Sequence, residues 1–282
     1  MTQDAGERRE FRNTAPRMAS WTGTWAHDRI QAVQVHRQKA EDTPMAPSAI
    51  ASLPAPRIPA LPRVVCSRSW ALTLWLLVLA LLVPGVLPRA WDRDRMLAAA
   101  QRQGPEAERG VRLLQSTIVA SQSMSEEARL QAFNRLFNEH IVFAEDIDTV
   151  GQVDQWASPL ELLARGAGDC EDFAIAKYFS LIAAGLPPAK LRMVYVRADL
   201  GGHVRAHMVL AYYAQPAAEP LILDNLIAEI RPASLRRDLS PVFSFNAEGL
   251  WQGTGAQKAG DPTARLSRWR EVLGKARAEG FV

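Results

Sequence analysis

The hydrophobic pattern of the chain separates one uninterrupted apolar segment from a longer region of mixed periodicity. From Trp70 to Leu87 no residue is charged, and Pro84 with Gly85 breaks the segment near its end. A helix without a polar face is typical of an export or membrane segment rather than of an ordinary core helix. We therefore predict that residues 64–90 form a signal peptide or a membrane anchor. The length of the segment fits either one, so its cleavage stays open.

The regions on either side of this segment differ in kind. Residues 1–63 mix Arg, Pro, Gln and Thr without helical periodicity or alternation, which predicts a disordered or mis-assigned N-terminal extension. From Trp91 onwards apolar residues recur at helical spacing. Residues 91–282 are therefore predicted to form one folded domain, long enough to bury a core.

Within that domain the pattern changes from helical to extended. Two or three helices are expected before a loop-like stretch over 145–159, and a short helix follows over Pro159–Leu163. A buried helix is expected to begin at Cys170 and to end at Gly185 and Pro187. The remaining predicted elements are three strands and one terminal helix: Leu191–Val196, His207–Tyr213, Pro220–Leu223 and Thr263–Ala278. A helix followed by antiparallel strands indicates an α+β domain.

Charge and cysteine content narrow the possible functions. The chain has 33 Lys and Arg against 30 Asp and Glu, for a net charge of +3. Basic residues in its second half do not alternate with stacking aromatics, which argues against nucleic-acid binding. The two cysteines, Cys66 and Cys170, lie on opposite sides of the apolar segment, so no disulfide framework is expected. If that segment directs export, Cys170 is a single thiol in an oxidising compartment, and such a thiol needs an explanation.

Cys170 is predicted to lie in the first turn of its helix. Free backbone amides and the helix dipole favour negative charge there, both on a thiolate and on a developing oxyanion. Asp169, Glu171 and Asp172 surround the sulfur with carboxylates, which oppose thiolate formation. A hard cation such as calcium would neutralise them. Plain capping of the helix explains the same residues equally well at this point.

The predicted domain offers three histidines as a general base, His140, His203 and His207. His207 opens one predicted strand and Asp224 closes the next, with a turn expected at 215–218. Both residues lie nearly equally far from that turn, so antiparallel pairing is expected to bring them close together, within one or two residues of register. A carboxylate that accepts one imidazole N–H fixes the tautomer and leaves the other nitrogen for a thiol.

Each of these residues also has a simpler explanation. A cysteine at an apolar helix edge is usually a small buried side chain, and an aspartate at a strand end commonly forms a turn. Trp156, on the loop before the Cys helix, either lines a cleft or covers the core, and we favour the core. The combined order of Cys, His and Asp is what favours a catalytic set.

One stretch of the sequence resembles a known family. The segment WASPLELLARGAGDCEDFAIAKYFSL, followed by HMVL and LDN, is similar to the bacterial transglutaminase-like cysteine proteinases of the LapG type. The resemblance covers roughly residues 113–243. It implies a papain/transglutaminase-like core, in which a Cys-bearing helix packs on an antiparallel sheet. It also implies two sets of site residues: a catalytic triad of Cys170, His207 and Asp224, and a calcium site formed by Asp169, Glu171 and Asp172.

The resemblance further implies a biological setting. Such an enzyme is expected in the periplasm, where it cleaves a large repeat-type surface adhesin near its N-terminal retention module and so regulates biofilm release. Its expected inhibitory partner is an inner-membrane cyclic di-GMP receptor of the LapD type. Two alternatives use the same sequence features. One is a transglutaminase or amidase with the same triad, and the other is a tethered calcium-binding module without catalytic activity.

Overall fold

The computed structural model describes residues 91–152 and 154–281. The extension predicted over 1–63 and the signal peptide or anchor predicted over 64–90 lie outside the described residues. Across the two described ranges, no helix combines the length and the apolar character that a bilayer span requires.

Three helices open the described region: α1 (Arg93–Gln103), α2 (Pro105–Ser121) and α3 (Glu126–His140). In α2, Val111, Leu114 and Ile118 recur at three- and four-residue spacing and are completely buried, which gives the helix its inward face. Ser125 caps α3, because its hydroxyl accepts a hydrogen bond from the backbone N–H of Ala128 at 3.2 Å. These helices match those expected from the sequence.

Five further helices follow: α4 (Asp146–Thr149), α5 (Pro159–Arg165), α6 (Cys170–Ala183), α7 (Pro262–Arg265) and α8 (Ser267–Ala278). The expectation of a loop throughout 145–159 is wrong for α4. There the buried Asp146 carboxylate accepts the backbone N–H of Gln155 and closes the segment on itself. The single terminal helix expected over 263–278 is divided, because Leu266 adopts an extended backbone between α7 and α8.

The strands form one large antiparallel sheet and one small parallel pair. The sheet has seven strands in the order β6-β5-β4-β3-β7-β8-β9, and β1 pairs with β2 in the small one. Their bounds are β1 (Val142–Phe143), β2 (Ala167–Gly168), β3 (Leu191–Asp199), β4 (Val204–Tyr212), β5 (Leu221–Leu223), β6 (Arg231–Pro232), β7 (Leu239–Phe245), β8 (Leu250–Gln252) and β9 (Lys258–Gly260). All three strands expected from the sequence are present, as β3, β4 and β5.

Helix α6 is the central element of the fold. All of its residues from Glu171 to Ala183 are buried, and it packs against both β4 and α3. Burial on all sides explains why its sequence has no polar face. A Cys-bearing helix packed on an antiparallel sheet confirms the predicted α+β architecture.

The opposite face of the sheet carries a second, smaller apolar cluster. Val194 and Val196 of β3 pack there with Val209 of β4. Ala233 and Leu239, which flank the connection from β6 to β7, cover the edge of this cluster. The connection from β6 to β7 therefore runs close to the end of β5, and the candidate site lies next to this end.

Candidate active site

Cys170 lies at the first position of α6, as the sequence predicts. Its thiol donates a hydrogen bond to Glu171 Oε2 at 3.0 Å. Burial of the sulfur, together with the carboxylates of Glu171 and Asp169, raises the pKa of the Cys170 thiol well above its ordinary value, although a hydrogen bond from the Met208 backbone lowers it. Burial and the nearby carboxylates therefore favour the protonated form of the thiol.

The contact with Met208 brings the two halves of the predicted triad together. Met208 directly follows His207 in β4, so the Cys170 sulfur lies next to the backbone of the strand that carries the histidine. His207 is 5% exposed and its Nε2 lies 2.8 Å from Asp224 Oδ1. An ionised carboxylate can only accept, so Nε2 carries a proton in this contact, and in the neutral imidazole Nδ1 is then the acceptor.

The register of the hairpin that produces this pair is offset by two residues, which lies within the one or two residues that the sequence prediction allows. The turn forms where expected, since the backbone N–H of Ala218 donates to Gln215 O at 2.9 Å. Leu210 pairs with Leu223, so Asp224 follows the last paired residue rather than lying directly opposite His207. The imidazole of His207 nevertheless reaches the Asp224 carboxylate across this two-residue offset.

The other two histidines of the described residues lie elsewhere. His140 ends α3, with its Nδ1 2.9 Å from Leu136 O, and His203 is exposed in the turn between β3 and β4. His207 is therefore the histidine that the structure places beside both an acidic side chain and the Cys helix.

Asp224 is completely buried and is held by several donors. Its Oδ1 accepts from His207 and from the backbone N–H of Leu226 at 3.1 Å, and its Oδ2 accepts from Arg236 Nη2 at 2.7 Å. Burial alone would raise the pKa of the Asp224 carboxyl, but the hydrogen bonds from His207, Leu226 and Arg236 hold it far below its ordinary value. Asp224 thus stays ionised beside the imidazole.

The main chain of Asp224 is held as firmly as its side chain. Its carbonyl oxygen accepts hydrogen bonds from Asn138 Nδ2 at 2.8 Å and from Lys177 Nζ at 3.1 Å. Lys177 lies within α6 and is 1% exposed, and burial lowers its pKa to about 7. The end of β5 is therefore fixed by both α3 and α6.

Three acidic residues form a buried cluster next to Cys170. Carboxylate oxygens of Asp146, Asp169 and Glu171 lie within 4.8 Å of one another. Burial and the neighbouring carboxylates raise the pKa of Asp169 far above its ordinary value, and burial also raises the pKa values of Glu171 and Asp146. Three such groups cannot all be ionised without a compensating positive charge.

This cluster fits a hard cation. Asp146 Oδ1 and Asp169 Oδ1 are buried and accept no hydrogen bond within the described part of the chain. Buried carboxylate oxygens without donors, at this mutual spacing, suit calcium, which takes oxygen ligands exclusively in most protein sites. Two of the three cluster residues, Asp169 and Glu171, are among the calcium ligands predicted from the sequence.

Asp172, the third predicted ligand, lies next to this cluster but is not one of the three residues that form it. Its Oδ1 accepts the backbone N–H of Ala157 at 2.7 Å, so it ties the preceding loop to α6. Burial raises the pKa of Asp172 to about 7. Its second oxygen has no hydrogen-bond partner among residues 91–152 and 154–281, and its role as a ligand stays a prediction.

Sequence reasoning missed two residues of the site, Asp146 and Arg236. Asp146 precedes Cys170 by more than twenty positions and reaches the cluster because β1, just before it, pairs with β2, just before the Cys helix. Arg236 follows Asp224 on an irregular connection and gives no periodic signal.

Trp156 lies in the core, which is the position that the sequence analysis favours. It is 4% exposed and stacks on Phe245.

Comparison with known proteins identifies a family and similar solved structures. The family model of the bacterial transglutaminase-like cysteine proteinase BTLCP matches residues 107–236. The structure is similar to EGTA-treated LapG of Legionella pneumophila, with 36% sequence identity, a TM-score of 0.59, and coverage of 65% of this chain and 97% of that one. Calcium-bound LapG of the same organism is 36% identical, with a TM-score of 0.56 and coverage of 65% and 98%. Comparison with curated protein sequences gives no significant match.

Proposed function

Because the chain belongs to the bacterial transglutaminase-like cysteine proteinase family, we propose that it is a calcium-dependent endopeptidase with Cys170 as nucleophile, His207 as general base and Asp224 as orienting residue. The observation that carries this proposal is the contact of 2.8 Å between His207 Nε2 and Asp224 Oδ1, next to the helix that begins at Cys170. A buried carboxylate on one imidazole nitrogen is what a thiol protease requires of its base.

The proposed reaction follows from these positions. His207 Nδ1 takes the thiol proton, the sulfur bonds to the scissile carbonyl carbon, and the carbonyl electron pair moves to its oxygen. The first backbone amides of α6 stabilise that oxyanion. Collapse of the intermediate breaks the C–N bond, and the leaving amine takes its proton from His207. Water then attacks the thioester and gives a proton to His207; collapse of this second intermediate breaks the C–S bond, releases the carboxylic acid product, and the proton returns from His207 to the sulfur.

In the proposed calcium site, Asp146, Asp169 and Glu171 supply the ligand oxygens. Calcium bound there supplies positive charge that offsets the carboxylates around the sulfur. Glu171 has a particular position, because it belongs to the cluster and also accepts the hydrogen bond of the Cys170 thiol. The neighbours of this fold include calcium-bound and EGTA-treated LapG, which supports the choice of calcium.

The substrate and setting are proposed on the family resemblance. We expect cleavage of a large repeat-type surface adhesin near its N-terminal retention module, in the periplasm, with consequent release of cells from biofilms. We also expect inhibition by an inner-membrane cyclic di-GMP receptor of the LapD type. The enzyme reaches the periplasm either by a cleaved signal or as a tethered protein.

The test is a cleavage assay with a recombinant N-terminal adhesin fragment. The purified chain should cut the fragment in calcium, stop on addition of EGTA, and resume when calcium is restored. Cys170→Ala and His207→Ala should abolish cleavage, while His203→Ala, at the exposed histidine of the same hairpin, should retain it. A glutamine peptide with a labelled amine is offered in parallel. Incorporation of label without cleavage would assign the thioester to amine transfer instead.

A further inference from the structure

The two carboxylate oxygens of Asp224 have different partners. Oδ1 lies 2.8 Å from His207 Nε2, while Oδ2 accepts from Arg236 Nη2 at 2.7 Å. The side chains of Asp224 and Arg236 are 0% and 1% exposed, so this pair is shielded from water. A shielded, charge-assisted hydrogen bond of this length is stronger and more directional than an exposed one.

Arg236 is itself fixed from the other side. Its Nε donates to Asp238 Oδ1 at 3.0 Å and its Nη2 donates to Asp238 Oδ2 at 2.8 Å. Asp238 is 32% exposed and lies just before β7, so the guanidinium bridges the end of β5 to the start of β7. A planar guanidinium held at two of its nitrogens has little freedom to rotate.

We propose that Arg236 is a positioning residue for the triad, which fixes the rotation of the Asp224 carboxylate so that Oδ1 faces His207 and holds the imidazole as its Nε2–H tautomer. This inference rests on the proposed function, because it assigns Arg236 a part in the same site. Arg236 contacts neither the thiol nor the acidic cluster, and it acts only through Asp224.

The physical reason lies in the torsion of the carboxyl group. Rotation of a carboxylate about its Cβ–Cγ bond has a broad, roughly two-fold profile, so the backbone of Asp224 alone does not fix the plane of the group. The bond from Leu226 holds only Oδ1, the oxygen that also serves His207. Within the described residues, Arg236 is the donor that holds the second oxygen. Without it that oxygen is buried and unpaired, and the carboxylate is free to turn away from the imidazole.

The test compares Arg236→Met and Arg236→Lys in the full chain, with Arg231→Met as the matched control. Arg231 lies in β6, just before the connection that carries Arg236, pairs with Glu229 and is 40% exposed, so its loss removes the same charge without touching Asp224. Imidazole 15N shifts of His207 report its tautomer directly. Cleavage of the adhesin fragment gives kcat and KM separately.

We expect the wild-type chain and Arg231→Met to show protonated Nε2 and unprotonated Nδ1. Arg236→Met should show a mixture of tautomers and a kcat about a hundredfold lower at unchanged KM, because Arg236 binds no substrate. Arg236→Lys, which keeps the charge but not the fork, should fall about tenfold and remains informative if the Met variant does not fold.

Wild-type tautomer shifts in folded Arg236→Met, or wild-type shifts and kcat in Arg236→Lys, would overturn the inference. A KM effect equal to the kcat effect would do so as well. The tautomer measurement needs no proteolysis. If the wild-type chain fails to cut the fragment, the proposed function fails, while the role of Arg236 is still decided by the imidazole shifts.

Discussion

Glu279, just after α8, carries a buried carboxyl group that should make the stability of the protein depend on pH. Its Oε1 accepts the hydroxyl of Ser158, and its Oε2 accepts the backbone N–H of Leu160 at 3.3 Å, at the start of α5. Burial raises the pKa of Glu279 to about 7 from an ordinary value of 4.5, against the lowering effect of these two hydrogen bonds. The C-terminal segment is therefore attached to the N-terminus of α5 through a titrating group.

The size and sign of the effect follow from this shift. Between pH 4.5 and 7 the folded chain binds a proton at Glu279 that the unfolded chain has released, so the free energy of unfolding falls as pH rises through this range. The difference of 2.5 pH units corresponds to about 3 kcal/mol, most of which is lost between pH 4.5 and 7. The stabilisation is fully present below pH 4.5 and absent above pH 7.

Glu279→Gln isolates this contribution. The amide has the shape of the protonated acid, since its oxygen can accept from Leu160 while its NH₂ group donates to the Ser158 hydroxyl. We expect the variant to match the wild type at pH 4 and to be more stable at pH 8, by up to about 3 kcal/mol. Glu271→Gln, at an exposed position of α8, should leave the difference near zero throughout.

Urea unfolding in EGTA at several pH values measures the difference. Other carboxyl groups that titrate in the same range, such as Asp172, contribute equally to both proteins and cancel. Parallel stability profiles for the wild type and Glu279→Gln would refute the argument, because they would mean that Glu279 has the same pKa in the folded and unfolded chains.

Three further predictions concern the site and its support. Asp146→Asn should raise the calcium concentration for half-maximal cleavage at least about tenfold, while Asp148→Asn, at an exposed position of the same helix, should not. Lys177→Met should remove a rise of about 3 kcal/mol in unfolding free energy between pH 7 and 10, because the folded chain releases this proton at about pH 7 and the unfolded chain near 10.5. Gly168→Ala should cost about 1–3 kcal/mol in urea unfolding, since the added Cβ would lie 2.6 Å from a neighbouring carboxylate oxygen, whereas Gly274→Ala meets nothing within 4 Å and should be neutral or stabilising.

The elements that the sequence predicted best are those with strong local signals. Helix α6 was located by its continuous apolar pattern and by the glycine and proline after it, and the strands β3, β4 and β5 by their aliphatic runs. His207 and Asp224 could be paired because a short hairpin leaves few registers, although the register itself was two residues off. These helices, strands and the hairpin pairing are determined by residues close together in the sequence, so local patterns are enough to predict them.

The residues that the sequence did not reveal are those placed by long-range contacts. Asp146 joins the acidic cluster through the parallel pairing of β1 and β2, and a parallel pair of two residues each has almost no pattern of its own. Arg236 meets Asp224 through an irregular connection that packs on the far face of the sheet. Neither position shows periodicity, so only the folded chain identifies them.

The way Asp224 is held explains how this fold keeps a helix and a sheet in register at the site. The proposed nucleophile belongs to α6 and the proposed base to β4, so a small shift of one layer against the other would separate them. Lys177 of α6 and Asn138 of α3 both donate to the carbonyl of Asp224, which ties the helical layer directly to the strand end that orients His207. Hydrogen bonds between buried groups are directional where apolar packing is not, so they specify the relative position of the two layers. Loss of either donor should therefore raise the activation free energy obtained from kcat by more than it lowers the free energy of unfolding. The reason is that most of the apolar contact between α6 and the sheet would remain.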